Sequence, residues 1–242
     1  MANKEKSKTT VQVTESAKPR ASSELEHDCP LCSSNQTEVI HRDSHSKIDR
    51  EYCRCAHCDL IFVPTQYHLP PEQEKAIYDC HENSPNDPVY RKFLSKLAKP
   101  LQSLLKLGAN GLDFGSGPGP TLSVMLREQG FNVSEYDPFY SPDQAVLSEH
   151  YDFITSTEVI EHLSQPKLIF EQLFELLDEQ GVLGIMSKRP PVAGIRNWHY
   201  TKDPTHISFY SEKTFSYIAE RFKCQLKIIS SDTVLLIRSS IS

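Results

Sequence analysis

Two groups of chemistry-bearing side chains lie close enough in this sequence to act together: cysteines near one end, and carboxylates with histidines further on. Cys29-Pro30-Leu31-Cys32 and Cys55-Ala56-His57-Cys58 form two Cys-x-x-Cys knuckles with 22 residues between them. Four thiolates at that spacing can close a tetrahedral zinc site of the ribbon type, with every position filled by protein, so the metal is structural. Cys53 is an alternative ligand, whereas Cys80 and Cys224 stand alone. So short a segment has little core, and zinc binding, on the order of 10–16 kcal/mol in comparable peptides, would largely decide its folding.

The second group begins at Leu112-Asp113-Phe114-Gly115-Ser116-Gly117-Pro118-Gly119-Pro120. Glycines at a strand-to-helix turn allow close approach of a ligand to the backbone, and the helix N-terminus faces whatever binds. A dinucleotide fold wants Gly-x-Gly-x-x-Gly. Here Pro120 takes the last position, and the third glycine, Gly119, comes one residue early. Asp113 would repel a pyrophosphate and attract an ammonium group. That pair of features suits S-adenosylmethionine, which carries an ammonium and no phosphate. Asp137 ends the next strand, 22 residues beyond Gly115, where a carboxylate accepts both ribose hydroxyls; the plainer reading is a turn-forming Asp-Pro.

Glu158, Glu161 and His162 follow a strand at its carboxyl end, where open α/β sheets bind ligands. At helical spacing Glu158 and His162 share a face, with Glu161 beside it. They read either as a solvated helix start with acids at the positive dipole end or as a source of a general base. Arg196-Asn197-Trp198-His199-Tyr200 holds the single Trp; aromatics with His suit a flat or hydroxylated acceptor, or else form a lid over the cofactor. His199 and His206 are both base candidates.

The elements that must position these groups alternate. Strands are expected at 111–114, 131–136, 151–156, 181–186, 225–230 and 233–237, and helices at 121–128, 167–177 and 212–221. Such alternation implies a mostly parallel sheet covered on both faces, and the last two strands must form a hairpin. Residues 1–27 are expected to be disordered, 28–64 to form the zinc ribbon, 65–107 a helical linker or cap that Pro100 kinks or divides, and 108–242 the catalytic domain. The chain has 242 residues, 38% hydrophobic and 24% charged, with a net charge of −6. An acidic balance argues against a duplex nucleic-acid partner without excluding a basic patch. No run approaches a membrane span or a signal peptide, so a cytoplasmic location is the expectation.

From about residue 108 to 237 the sequence resembles the class I S-adenosylmethionine-dependent methyltransferases. Asp113, Gly115, Gly117 and Gly119 match the first motif, Asp137 the ribose acid, and 151–163 the fourth strand and the segment after it, as in ubiquinone-type O-methyltransferases. The resemblance implies a doubly wound seven-stranded sheet of order 3-2-1-4-5-7-6 with strand 7 antiparallel. It implies cofactor contacts at Asp113, Gly115, Ser116, Gly117, Gly119, Asp137, Thr157 and Glu158, and a reacting proton near Glu161, His162, His199 or His206. Only 13 residues separate Asp137 from Tyr151, so strand three and its helix are abbreviated. The acids and histidines also resemble plant-type small-RNA 2′-O-methyltransferases, which implies a second divalent metal at Glu158, Glu161, His162 and His206. The expected function is O-methylation of a small hydroxylated molecule. The alternatives are a metal-assisted RNA 2′-O-methyltransferase, or a non-catalytic zinc-ribbon binding protein on a degenerate fold. The ribbon's role is open between recognising substrate, docking on a partner and covering the active site.

Overall fold

The computed structural model describes residues 27–43, 49–80 and 83–239. The tail expected to be disordered lies outside the described residues apart from His27. Strands β1 (Thr37–Asp43), β2 (Arg50–Cys55) and β3 (Ile61–Phe62) open the chain, followed by helices α1 (Pro71–Tyr78) and α2 (Pro88–Gln102). Asp87 caps α2, its carboxylate accepting from the Val89 amide at 2.8 Å, and Pro88 opens the first turn, where a missing N–H costs nothing. The helix passes through Pro100 and ends two residues later, so the proline neither divides nor separates the segment. Leu94, Leu97, Ala98 and Leu101 form its buried stripe.

Then follow β4 (Asn110–Phe114), α3 (Thr121–Glu128), β5 (Asn132–Tyr136), β6 (Tyr151–Thr157), α4 (Pro166–Leu176), β7 (Leu177–Met186), β8 (Ser208–Phe209), α5 (Glu212–Arg221), β9 (Cys224–Ile228) and β10 (Thr233–Arg238). The large sheet has the order β5-β4-β6-β7-β10-β9. β5, β4, β6 and β7 pair in parallel, and β10 runs antiparallel to both β7 and β9. Alternate residues feed two cores. Phe153, Val182 and Leu235 meet α2 and α3 on one face, and Ile154, Leu183 and Leu236 meet α4 and α5 on the other. The class is α/β and doubly wound, as expected.

The described sheet has six strands, not seven, and the one lacking is strand 3, the edge strand of the expected order. Residues 138–150 hold Pro138 and Pro142, turn back at once through an Asp137–Ser141 bridge, and close with a 3-10 turn at Gln144–Ser148. A further parallel strand here would need two crossovers of a dozen or more residues each, and these thirteen residues suffice only for the single connection from β5 to β6.

A second, smaller sheet has the order β1-β2-β3-β8. Its fourth strand comes from the far end of the chain, with Ile61 opposite Phe209 and Phe62 opposite Ser208. Cys55, Leu60 and Phe62 share one core with Phe170, Tyr210, Phe215 and Ile218. The cysteine segment is thus built into the face carrying α4 and α5.

Candidate active site

The glycine loop follows β4 because two of its positions need left-handed backbone: Gly115 has φ +77° and Gly117 φ +64°. A Cβ on Gly115 would meet Val159 Cγ2 at 2.3 Å, whereas one on Gly117 would project into open space. Gly119 serves differently. A Cβ there would lie 1.9 Å from the Asn83 carbonyl oxygen, so the glycine admits the backbone that leads into α2.

Asp137 stands beside this loop and is 7 % exposed. Its Oδ2 accepts the Gly117 amide at 3.0 Å, and its Oδ1 accepts the Phe139 and Tyr140 amides at 2.8 and 3.1 Å. The plain turn-forming reading is therefore real in this structure. It coexists with a place on the cavity wall. Asp113 sits beneath the loop rather than on that wall. Its carboxylate accepts the Thr155 and Ser123 hydroxyls at 2.7 and 2.8 Å, and burial pushes it up to about 6. The side chain is placed to brace β4 against α3 and β6, not to face a ligand's ammonium group.

The acid-histidine cluster does not form a helical turn at its start. Glu158 has φ +53°, a costly conformation for a residue with a side chain, and a 3-10 turn spans Ile160–His162. The expected i, i+4 face shared by Glu158 and His162 is therefore absent. What gathers instead is Glu161, His162 and His206, whose ligand atoms lie within 4.8 Å of one another; Glu158 is not among them. The Tyr200 hydroxyl donates to both Glu158 Oε2, at 3.3 Å, and Glu161 Oε1. Burial, reinforced by the Glu161 charge, pushes Glu158 up to about 8, and burial pushes Glu161 up to about 7. Each imidazole sets its Nδ1 against a backbone carbonyl, His162 on Thr205 at 3.1 Å and His206 on Tyr200 at 2.7 Å. A carbonyl only accepts, so Nδ1 carries a proton in each ring, and the His206 Nε2 lies 3.9 Å from Asp203 Oδ2. Burial and the neighbouring His162 push His206 down to about 4.

A cavity of about 780 Å³ opens at the carboxyl ends of β4, β5 and β6. Gly115, Ser116, Gly117, Asp137, Thr157, Glu158, His162 and His206 all line it. Gly119 and Asp113 support it from behind, and Glu161 is fully buried next to it. His199 is not brought there; it is exposed, with Nε2 2.9 Å from the Lys188 Nζ. Glu74 and Tyr78 of α1, and Tyr90 and Phe93 of α2, form the roof, a contribution with no signal in the motifs. Tyr200 was visible only as part of an aromatic stretch. The described lining holds the carboxylates of Glu74, Asp137, Glu158 and Asp203, seven Phe or Tyr rings, and neither Lys nor Arg. Ser116 Oγ and Glu158 Oε1 are buried at the cavity without a hydrogen-bond partner. They are the groups a ligand's carboxylate and ammonium would satisfy.

The two knuckles are folded alike. Ser33 and Asp59, each just after a second cysteine, have φ +61° and +62° and donate back to the carbonyls of Cys29 and Cys55 at 2.9 Å. Cys29 and Cys58 bring their sulfurs to 3.5 Å, as do Cys32 and Cys55, and all four lie within 4.8 Å of one another. Tetrahedral bonds of about 2.3 Å to zinc need sulfurs roughly 3.8 Å apart, which this cluster fits. Burial, reinforced by the neighbouring Cys29 and Cys55, pushes the Cys32 thiol up to about 12, and a divalent ion would offset that cost of bringing four thiolates together. Cys53 lies outside the cluster.

A family model described as a methyltransferase domain matches residues 86–227, more than half of the chain. The chain belongs to this methyltransferase family. It is a class I enzyme dependent on S-adenosylmethionine. Among solved structures, the methyltransferase is similar to magnesium protoporphyrin IX methyltransferase from Synechocystis with bound S-adenosylhomocysteine. The identity is 15%, over 69% of this chain and 94% of that one, with a TM-score of 0.46. It is similar also to an O-methyltransferase family protein from Burkholderia thailandensis, at 13% identity over 70% of this chain and 64% of that one, with a TM-score of 0.45. No curated protein matches the chain. Among the described residues no helix is long and apolar enough to cross a membrane.

Proposed function

We propose that this methyltransferase transfers its methyl group to a hydroxyl oxygen of a small, uncharged acceptor. The observation that carries the reading is the composition of the cavity wall. Four carboxyl groups and seven aromatic rings, with no Lys or Arg among the described lining residues, offer no cation to a phosphate or carboxylate and suit flat neutral molecules. The bound cofactor supplies an electrophilic methyl on a sulfonium sulfur. Gly115 and Gly117 let the backbone approach its methionine end, Ser116 and Glu158 satisfy the polar groups there, and Asp137 accepts the ribose hydroxyls. The acceptor lies between these groups and the α1 roof. Its proton passes to His206, His162 or Glu158, all on the cavity wall. Glu161 acts from behind, through the Tyr200 hydroxyl. The rest of the catalytic task is alignment and exclusion of water. The cysteine cluster holds structural zinc.

The test is transfer of a labelled methyl group to a panel of neutral phenols and alcohols, their phosphorylated and carboxylated counterparts, amines and short RNA. The reading expects label on the neutral hydroxylated members. Label only on amines, phosphorylated compounds or RNA would reject it.

A second reading is favoured by the convergence of Glu161, His162 and His206 and by Glu161 Oε2, which is buried without a partner. Both imidazoles are oriented by Nδ1 contacts to backbone carbonyls, as metal-binding histidines are. On this reading a divalent cation sits there and organises the acceptor oxygen. Titration of the zinc-loaded protein with Mn²⁺, followed by electron paramagnetic resonance, tests it. One tight site lost in His206→Ala supports the metal, and unbound Mn²⁺ throughout removes it.

A further inference from the structure

The cysteine module and the loop that completes the site are joined by a buried cation. Arg50 opens β2 and is 2 % exposed. Its Nε donates to the Tyr52 hydroxyl at 2.8 Å, its Nη1 to the Pro204 carbonyl at 3.0 Å, and its Nη2 to the carbonyls of Thr201 and Asp203 at 2.6 and 3.0 Å. The Tyr52 hydroxyl donates in turn to the Thr201 carbonyl at 3.2 Å. One planar fork thus binds three carbonyls of a single short stretch, a task for which a lysine's point charge is unsuited. Burying a guanidinium is costly unless its N–H groups are satisfied, and here the loop backbone satisfies them.

A second tie lies just beyond. The Val63 amide donates to the Ile207 carbonyl at 2.8 Å, and the Ile207 amide donates to the Glu161 carbonyl at 2.8 Å. His206 therefore sits between two points of attachment to the module, one at 201–204 and one at 207. The same loop carries Tyr200, which bridges Glu158 and the buried Glu161, and Asp203, which lines the cavity with His206.

We propose that Arg50 is a positioning residue: from inside the cysteine module it fixes the 198–207 loop, and with it Tyr200, Asp203 and His206, at the acceptor end of the cavity. The module's role in this chain is then to form the site's wall rather than to recruit a distant partner. The proposal is independent of which atom is methylated.

Trp198 is the only tryptophan in the chain and lies in this loop, its ring 5.1 Å from that of Tyr200, so its emission reports the loop directly. The experiment compares full-length, metal-loaded wild type with Arg50→Met, Arg50→Lys and Tyr52→Phe. Acrylamide quenching of Trp198 is expected to rise about twofold or more in Arg50→Met, less in the other two, as the loop opens locally. Affinity for S-adenosylhomocysteine by calorimetry should fall by no more than about threefold, because the glycine loop and Asp137 lie on other elements and only Glu158 meets the loop, through Tyr200. Metal content should not change. Unaltered quenching in every variant would overturn the proposal. So would a parallel loss of S-adenosylhomocysteine affinity and metal, which would make Arg50 a general support of the fold. If Arg50→Met does not fold, Tyr52→Phe, which removes one hydroxyl and keeps the shape, decides by the same criteria.

Discussion

Single residues divide between those that face the cavity and those that hold the ones that do. Asp137 does both, which makes its conservative variant informative. Asp137→Asn keeps an oxygen for the Phe139 and Tyr140 amides but turns a donor toward Gly117 and the ribose position. S-adenosylhomocysteine affinity should fall about tenfold or more by calorimetry, the equivalent of roughly 1.4 kcal/mol or above. Asp113 is a holding residue with a sign that can be measured. Its carboxyl binds a proton more tightly when folded, at about 6 against 3.8, so the folded state loses stability as pH rises through that interval and is level above it. Compared with Asp113→Asn, the wild-type thermal midpoint should therefore decline between pH 4 and 6; parallel curves would show that the buried carboxyl does not titrate there. The glycine turn and the place of Asp137 beside it were readable in the sequence because each is set within a few residues of a strand end. Asp113 was placed at the loop correctly but given the wrong direction, since which way a strand residue points is decided by Ser123 and Thr155. The Tyr200–Glu161 link was not readable, because it joins positions 39 residues apart through the loop's tertiary path.

At the level of elements, the alternation of apolar runs gave α3 and α5 with the bounds the structure has, since both have clear amphipathic periods and abrupt ends. The shortage of chain between Asp137 and Tyr151 correctly pointed to an abbreviated third unit, and the structure removes its strand altogether. Two readings failed for backbone reasons. Pro100 lies so near the end of α2 that the missing hydrogen bond does not divide the helix. Glu158 is left-handed, which no periodicity argument anticipates. The close approach of the α2 entrance to the glycine loop is likewise a packing fact. It makes Gly119→Ala a test of the roof: the added Cβ would collide with the Asn83 backbone, and overpacking of this kind costs about 1–3 kcal/mol. Both the thermal midpoint and S-adenosylhomocysteine affinity should drop, whereas Gly117→Ala, with open space at its Cβ, should lose only the roughly 1–2 kcal/mol of left-handed strain at φ +64° and leave the α2 entrance in place. Equal behaviour of the two variants would count against this division.

Across the whole molecule, the four-stranded sheet and the six-stranded sheet share a core, and the smaller one takes its fourth strand, β8, from the chain between β7 and α5, so they should melt together. Chelating the proposed zinc should lower one cooperative transition seen alike by circular dichroism and by Trp198 emission; two separate transitions would mean that the module folds on its own. That coupling could not be foreseen from the cysteine spacing, which looks the same in an independent ribbon. The account as a whole rests on the open crevice at the carboxyl edge of the large sheet being the S-adenosylmethionine site. Calorimetric titration of the metal-loaded protein with S-adenosylhomocysteine, alongside NAD, tests this most directly. It should give one site per chain for S-adenosylhomocysteine, abolished or severely weakened in Asp137→Asn, and no heat with NAD; an absence of S-adenosylhomocysteine binding by the folded, metal-loaded wild type would contradict it.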